Sequence, residues 1–125
     1  MSNKERFRVN GNSSTILPIT GGDDVFTINE LEGGYERLYF NLCFFSDAER
    51  QTKVTPTIGT VSFSVIDDGV ESVVTGGVFN ASEIDDVLQP LARGNFESAK
   101  LSISGVDSGL YAYGWVDQKG NDNED

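Results

Sequence analysis

The stretch from residue 100 to residue 117 restricts the possible folds of this chain more than any other. It contains two runs in which side chains alternate with a period of two, separated by a segment bounded by Gly105 and Gly109. In the second run, Tyr111, Tyr113 and Trp115 share one face. Because successive side chains of a strand point to opposite sides, this period predicts two strands. Together the runs predict a β-hairpin that closes a half-buried sheet.

Alternating runs with turn residues between them recur along the rest of the chain. Arg37–Phe45 is apolar on both faces, which predicts a central strand covered from both sides. Asp67–Gly69 separates two further runs and predicts a tight hairpin turn, since Asp-Gly readily supplies positive φ. The sequence therefore predicts an all-β fold, an antiparallel β-sandwich or a flattened barrel of about seven to eight short strands.

One segment departs from the strand pattern and predicts a short helix near residues 82–89. Its apolar residues recur at helical spacing, at positions Ile84, Val87, Leu88 and Leu91. Ser82 is the predicted N-cap, and Pro90 is expected to end the helix.

The length of 125 residues predicts a single domain, which we place at residues 1–117. Residues 1–5 are polar and are expected to be loose. Residues 118–125 are polar and acidic, which predicts a mobile C-terminal tail. The N-terminus has no apolar signal region and no apolar run approaches membrane-spanning length, so we expect synthesis in a cytoplasm and no membrane partner.

The charge balance is strongly acidic. Nine Lys and Arg residues stand against twenty Asp and Glu residues, which gives a formal net charge of −11. Nucleic acids and anionic lipids are bound by clusters of cations, so this balance predicts no nucleic-acid partner. It favours solubility at high concentration or docking on a basic partner.

The residues that usually carry catalysis or bind metals are scarce. The chain has no histidine and one cysteine, Cys43, which excludes the usual zinc sites and predicts a small buried side chain. The adjacent acids Asp23–Asp24, Asp67–Asp68 and Asp85–Asp86 suit turns and a helix start, with calcium binding and catalytic carboxylates as alternatives. We therefore expect no catalytic residues, no metal and no cofactor.

Tyr111, Tyr113 and Trp115 are the candidate interface residues. A row of aromatic side chains on a strand forms either part of a core or protein interface, or a platform for sugar stacking. The opposite face of this strand is also apolar, which predicts an internal strand or a seam between subunits.

Four segments of the second half follow one another in a distinctive order: Gly59–Val65, Asp67–Gly69, Ala99–Val106 and Leu110–Val116. This arrangement resembles small virion proteins of tailed bacteriophages. The resemblance implies a non-enzymatic structural protein of the virion, made in the host bacterial cytoplasm. It further implies a capsid decoration (cement) protein or a tail or fibre accessory subunit. The expected partners are a major capsid or other virion protein and further copies of the chain, with a trimer favoured.

Two other classes of function remain open at this point. A carbohydrate-binding module would use Tyr111, Tyr113 and Trp115 to stack on sugars. A hydrolase would use one of the carboxylate pairs.

Overall fold

A computed structural model describes residues 2–9, 14–84 and 90–120. Over these residues the chain forms ten strands in two antiparallel sheets, which confirms the β-sandwich. The structure has more strands than the seven or eight predicted. Three of them have only two or three residues, and an alternating pattern cannot be recognised over so short a run.

The first sheet, sheet A, contains β1 (Ser2–Arg6), β2 (Leu17–Pro18), β4 (Arg37–Phe45), β5 (Lys53–Val54), β8 (Leu91–Arg93) and β10 (Tyr111–Lys119). At its centre β10 pairs with β4 on one side and with β1 and β2 on the other. Strands β5 and β8 pair with the far side of β4, so the predicted central position of β4 is confirmed.

The second sheet, sheet B, contains β3 (Asp23–Ile28), β6 (Thr60–Asp67), β7 (Val70–Asn80) and β9 (Ser98–Ser104), in the order β3-β9-β6-β7. The predicted turn between β6 and β7 is confirmed, with Asp67 paired to Val70. Asp68 and Gly69 both have positive φ, at 51° and 77°, as a two-residue hairpin turn requires.

The core lies between the sheets and is built from the inward-facing side chain of every second strand residue. Phe63 of β6 is at its centre, 1% exposed. Its ring centroid lies 5.1 Å from that of Phe40, 6.0 Å from that of Phe7 and 6.1 Å from that of Phe79. Phe40 belongs to sheet A and Phe63 to sheet B, so these contacts hold the two sheets together.

The predicted hairpin over residues 100–117 was wrong. Strand β9 pairs with β3 and β6 in sheet B, whereas β10 is the centre of sheet A. The segment between them crosses from one sheet to the other, with Gly105 and Gly109 at φ of 67° and 86° and Val106 1% exposed. Each strand has two neighbours in its own sheet, so neither has an edge free to pair with the other.

Parts of both chain ends that were expected to be loose belong to strands. β1 begins at Ser2, and β10 continues to Lys119, two residues beyond the predicted domain boundary at 117. The two pair with each other from Ser2–Lys119 to Arg6–Trp115. Gln118 is 1% exposed, accepts a hydrogen bond from Asn3 at 2.8 Å and donates one to the Glu32 carbonyl at 2.9 Å. Residues 121–125 of the predicted tail lie outside the described residues.

The helix predicted near residues 82–89 is described only at its start. A single 3₁₀ turn spans Ala81–Glu83, and residues 85–89 lie outside the described residues. The predicted N-cap, Ser82, lies within the turn. Asn80 precedes the turn instead, and its backbone N–H donates to the Glu83 carboxylate at 3.1 Å. Within the described ranges, no helix is long and apolar enough to cross a membrane.

Candidate interaction face

The candidate residues of β10 lie on the side of sheet A that faces away from the core. Exposure alternates along the strand. Ala112 and Val116 point inward and are fully buried, while Tyr111, Tyr113 and Trp115 point outward and are half-buried. The structure thus brings the three aromatics onto one face, as predicted. Among the described residues, only the inner face of β10 is packed against the other sheet, so β10 is not covered on both sides within one subunit. Cover of its outer face by a second subunit stays a prediction.

Two of these aromatics form a cluster with cationic side chains. The ring centroids of Tyr113 and Trp115 are 5.2 Å apart. The Lys4 ammonium lies 4.8 Å from the Trp115 centroid and 5.9 Å from that of Tyr113. The Arg50 guanidinium lies 4.6 Å from the Tyr113 centroid, and Arg6 Nε donates to the Tyr113 hydroxyl at 2.7 Å. Cations over ring faces are attracted by the ring quadrupole, so each ring fixes the position of a charge.

Strand β4 continues the face beside β10. Residues directly opposite each other in paired strands share one side of a sheet, and here Phe45 lies opposite Tyr111, Cys43 opposite Tyr113 and Asn41 opposite Trp115. Asn41 also donates to the Asp117 carboxylate at 3.2 Å. The outer face of sheet A is therefore a mixed aromatic and polar surface rather than an apolar one.

Most of the cations of the chain are gathered on this face. In the register of the sheet, outward positions are occupied by Lys4, Arg6, Arg37, Lys53, Arg93 and Lys119, and Arg50 adds a seventh cation of the nine in the sequence. Among the described outward positions of these strands, Asp117 is the one acidic residue. The outward strand positions of this face thus hold six cations and one carboxylate, on a protein whose net charge is −11.

The prediction of no nucleic-acid partner rested on the net charge of −11, since binding to phosphate requires a cluster of cations. A basic face changes the local potential, since interactions between exposed charges are screened beyond about 10 Å. The absence of a nucleic-acid partner stays a prediction, because net charge alone does not determine the local potential at this face.

Cys43 lies half-buried on this face, and its thiol is within 3.8 Å of the Tyr113 carbonyl oxygen. Burial raises the pKa of the Cys43 thiol above its ordinary value, while Lys53 and Arg50 act in the opposite direction. The thiol therefore stays protonated at neutral pH, which opposes a role as a nucleophile.

The raised pKa of Cys43 predicts a small alkaline loss of stability. A group whose folded pKa is raised stabilises the fold below its unfolded pKa, and this contribution disappears as the pH rises through the folded pKa. We expect the urea midpoint of the wild type to fall more between about pH 7.5 and about pH 10 than that of Cys43→Ala, which retains every other titrating group. Equal falls in the two proteins would contradict the assignment.

The acidic pairs have structural partners where they are described. The Asp24 carboxylate accepts from the Thr20 backbone N–H at 3.1 Å and from its hydroxyl at 3.0 Å, and Asp23 accepts from the Ser104 hydroxyl at 2.6 Å. Asp67 ends β6, where it pairs with Val70, and Asp68 lies in the β6–β7 turn, whereas Asp85–Asp86 lies outside the described residues. Among the residues with described positions, no three metal-binding side chains are grouped to hold an ion.

An acidic groove lies at the end of the sandwich near Lys119. It has a volume of about 470 Å³, and its lining includes Leu31 and Phe96 together with the exposed acids Asp67, Asp68 and Glu97. The Glu97 backbone carbonyl accepts from the Leu31 N–H at 2.8 Å. Its carboxylate accepts from the Gly69 N–H at 3.0 Å, which holds it beside the β6–β7 turn.

The cationic partners of the aromatics could not be found from the sequence. Lys4 and Arg6 lie in a polar N-terminal stretch, more than 100 residues from Tyr113 and Trp115, and Arg50 lies in the β4–β5 loop. Only the β1–β10 register brings the first two onto the rings. The acidic groove likewise combines three loops that no local pattern connects.

Comparisons with known proteins add little at the sequence level: no protein-family model matches the chain, and no curated protein gives a significant match. Among solved structures, the chain is similar to the family 32 carbohydrate-binding module of C. perfringens NanJ, solved in complex with galactose. The TM-score is 0.40 at 13% sequence identity, over 94% of this chain and 92% of that chain.

Proposed function

We propose that this protein is a non-enzymatic structural subunit that assembles through the outer face of sheet A. The observation that supports this proposal most is the cluster of Tyr113, Trp115 and their three cations on a half-exposed face. Tyr, Trp and Arg are the residues most enriched in protein interfaces and in their energetic hot spots. Their rings and guanidinium groups combine large contact area with fixed polar groups, which suits recognition of another protein.

The size of the face is compatible with such a contact. The six strands of sheet A contain 30 residues, and at about 4.8 Å between strands and about 3.3 Å per residue they cover roughly 480 Å². Specific interfaces bury about 800 Å² on each partner, so this face and its adjacent loops reach the lower part of that range.

The proposed location of the protein comes from its resemblance to small virion proteins of tailed phages. There it would be a capsid decoration protein, which binds the outer surface of a head and works as a homo-oligomer, with a trimer favoured. Each added contact between neighbouring shell subunits raises the barrier to their separation. Oligomerisation makes several weak contacts act together through effective concentration. A tail or fibre accessory subunit would use the same face in a different part of the virion.

Carbohydrate binding is the second candidate, favoured by the adjacent outward rings of Tyr113 and Trp115. Sugar stacking requires an open ring face, whereas Lys4 and Arg50 occupy positions over these two rings. A glycan array tests this function. Binding that disappears in Trp115→Ala, with the unfolding midpoint retained, supports a carbohydrate-binding module. An array on which the wild type binds no glycan contradicts this candidate function.

Location in a particle tests the virion proposal directly. The reading frames beside the gene are the first check, because capsid or tail genes there support a virion component. Immunogold electron microscopy of particles from a culture that produces the protein is the second. Label over heads supports the decoration protein, and label confined to tails supports the accessory subunit. Protein that is never associated with particles contradicts both.

A further inference from the structure

The acidic groove and the cluster around Tyr113 and Trp115 occupy different parts of the molecule. The clustered cations Lys4, Arg6 and Arg50 surround these two rings on the outer face of sheet A. The acidic groove lies near the Lys119 end of β10, because the carbonyl of Glu32, next to groove residue Leu31, accepts from Gln118 Nε2 at 2.9 Å. Three other cations of the face, Arg37, Arg93 and Lys119, lie towards this same end. Tyr113 and Gln118 are five residues apart on one strand, which corresponds to roughly 17 Å.

The outer face of sheet A is unsuited to contact with an identical face. A two-fold contact places the same patch on both subunits, so cations would face cations. Like charges brought together across an interface strongly oppose association. A contact between copies that uses this face therefore requires a different, acidic surface on the second copy.

The acidic groove provides such a surface. Its three carboxylates are exposed at its rim, and the half-buried Phe96 and buried Leu31 give it an apolar lining. Lys and Arg side chains combine a charged end group with an apolar stem, so they match a groove of this composition. The cations on the face are already held in place by aromatic rings, which lowers the entropy cost of ordering them at a contact.

We propose that copies of this chain associate head to tail, with the Lys4, Arg6 and Arg50 side chains of one copy seated at the acidic groove of the next. The proposal rests on the proposed function, which makes this face a contact between copies. A head-to-tail contact closes into a ring when its rotation fits and continues as a filament when it does not. Attraction of this kind weakens as salt screens the charges.

Complementation between two variants tests the proposal. Lys4→Gln/Arg6→Gln removes two of the three clustered cations, Lys4, Arg6 and Arg50. Asp67→Asn/Asp68→Asn removes two of the three groove carboxylates while retaining a residue type that tolerates the positive φ of Asp68. Lys100→Gln is the control, because it removes a cation of sheet B that pairs with Glu71 at 2.9 Å. Mass is measured by sedimentation velocity for each protein alone and for an equal mixture of the first two, with thermal unfolding as a check of folding.

Each double variant alone is expected to bind itself at least about tenfold more weakly than the wild type, because charge pairs across interfaces couple strongly. Their mixture is expected to form a two-chain species, since one variant retains the groove and the other the face. The wild-type oligomer is expected to dissociate as ionic strength rises from about 0.05 to about 0.5 M, whether or not a variant folds poorly. Lys100→Gln is expected to resemble the wild type.

Two results overturn the inference while leaving the proposed function in place. One is a wild-type oligomer that is insensitive to salt, and the other is an Asp67→Asn/Asp68→Asn protein that associates as the wild type does. A wild type that stays monomeric at every concentration contradicts the proposed contact between copies itself, and the head-to-tail inference with it.

Discussion

Phe63→Ala is expected to destabilise the protein by about 3–5 kcal/mol, a large part of the total stability of a domain of this size. Phe63 is 1% exposed, and its ring contacts Phe7, Phe40 and Phe79 from both sheets. Removal of the ring leaves a cavity between the sheets that the surrounding strands, held by their hydrogen-bond ladders, can close only in part. The loss is measured by urea denaturation followed by far-UV circular dichroism.

Val73→Ala is the matched control on the neighbouring strand β7. Val73 is 57% exposed on the outer side of sheet B, so its truncation should cost less than about 1 kcal/mol. A Phe63→Ala variant that loses no more than the Val73→Ala variant would show that the core is not organised around Phe63.

Gly59→Ala is expected to have the second largest effect, about 3 kcal/mol or more. A Cβ at this position would lie 2.4 Å from Val106 Cγ2, 2.7 Å from the Val106 nitrogen and 2.8 Å from its Cα. Two of these are backbone atoms, so the clash cannot be relieved by a rotamer change. Gly59 also has φ of 107° and accepts a hydrogen bond from Ala81 N at 2.9 Å, which opposes movement of the Gly59 backbone.

Gly34→Ala is the matched control, because it measures the free-energy cost of a positive φ without a steric clash. Gly34 has φ of 89°, and nothing lies within 4 Å of the position where its Cβ would be. Its replacement should cost only the strain of positive φ, about 1–2 kcal/mol. The difference between the two glycine variants in urea midpoint measures the Gly59–Val106 contact. Equal losses would mean that the backbone at Val106 moves away without cost.

Local features of the fold could be predicted because they depend on neighbouring residues. The bounds of β4 follow from the most apolar run of the sequence, and they are Arg37–Phe45 as predicted. The β6–β7 turn follows from Asp68 and Gly69, whose positive φ only a few residue types accept readily. The shared face of Tyr111, Tyr113 and Trp115 follows from the period of a strand alone.

Features that depend on distant pairing could not be predicted. The alternation in β9 and β10 is the same whether they pair with each other or cross between sheets, so the hairpin prediction had no local evidence against it. Polar residues 2–5 and 118–119 give no strand signal by themselves, and they become ordered through each other. Lys4 and Arg6, beside Tyr113 and Trp115, belong to the same class, because their positions follow from the β1–β10 register.

The central claim, that the outer face of sheet A is an assembly interface, is tested most directly by the solution mass of the wild type and of Trp115→Ala. Trp115 is half-buried, outward-facing and in contact with Tyr113 and Lys4. Sedimentation equilibrium at micromolar concentration is expected to give a multiple of 13.6 kDa for the wild type and a monomer for Trp115→Ala, with nearly the same thermal midpoint. A wild-type monomer, or a Trp115→Ala oligomer of unchanged affinity, would contradict the claim.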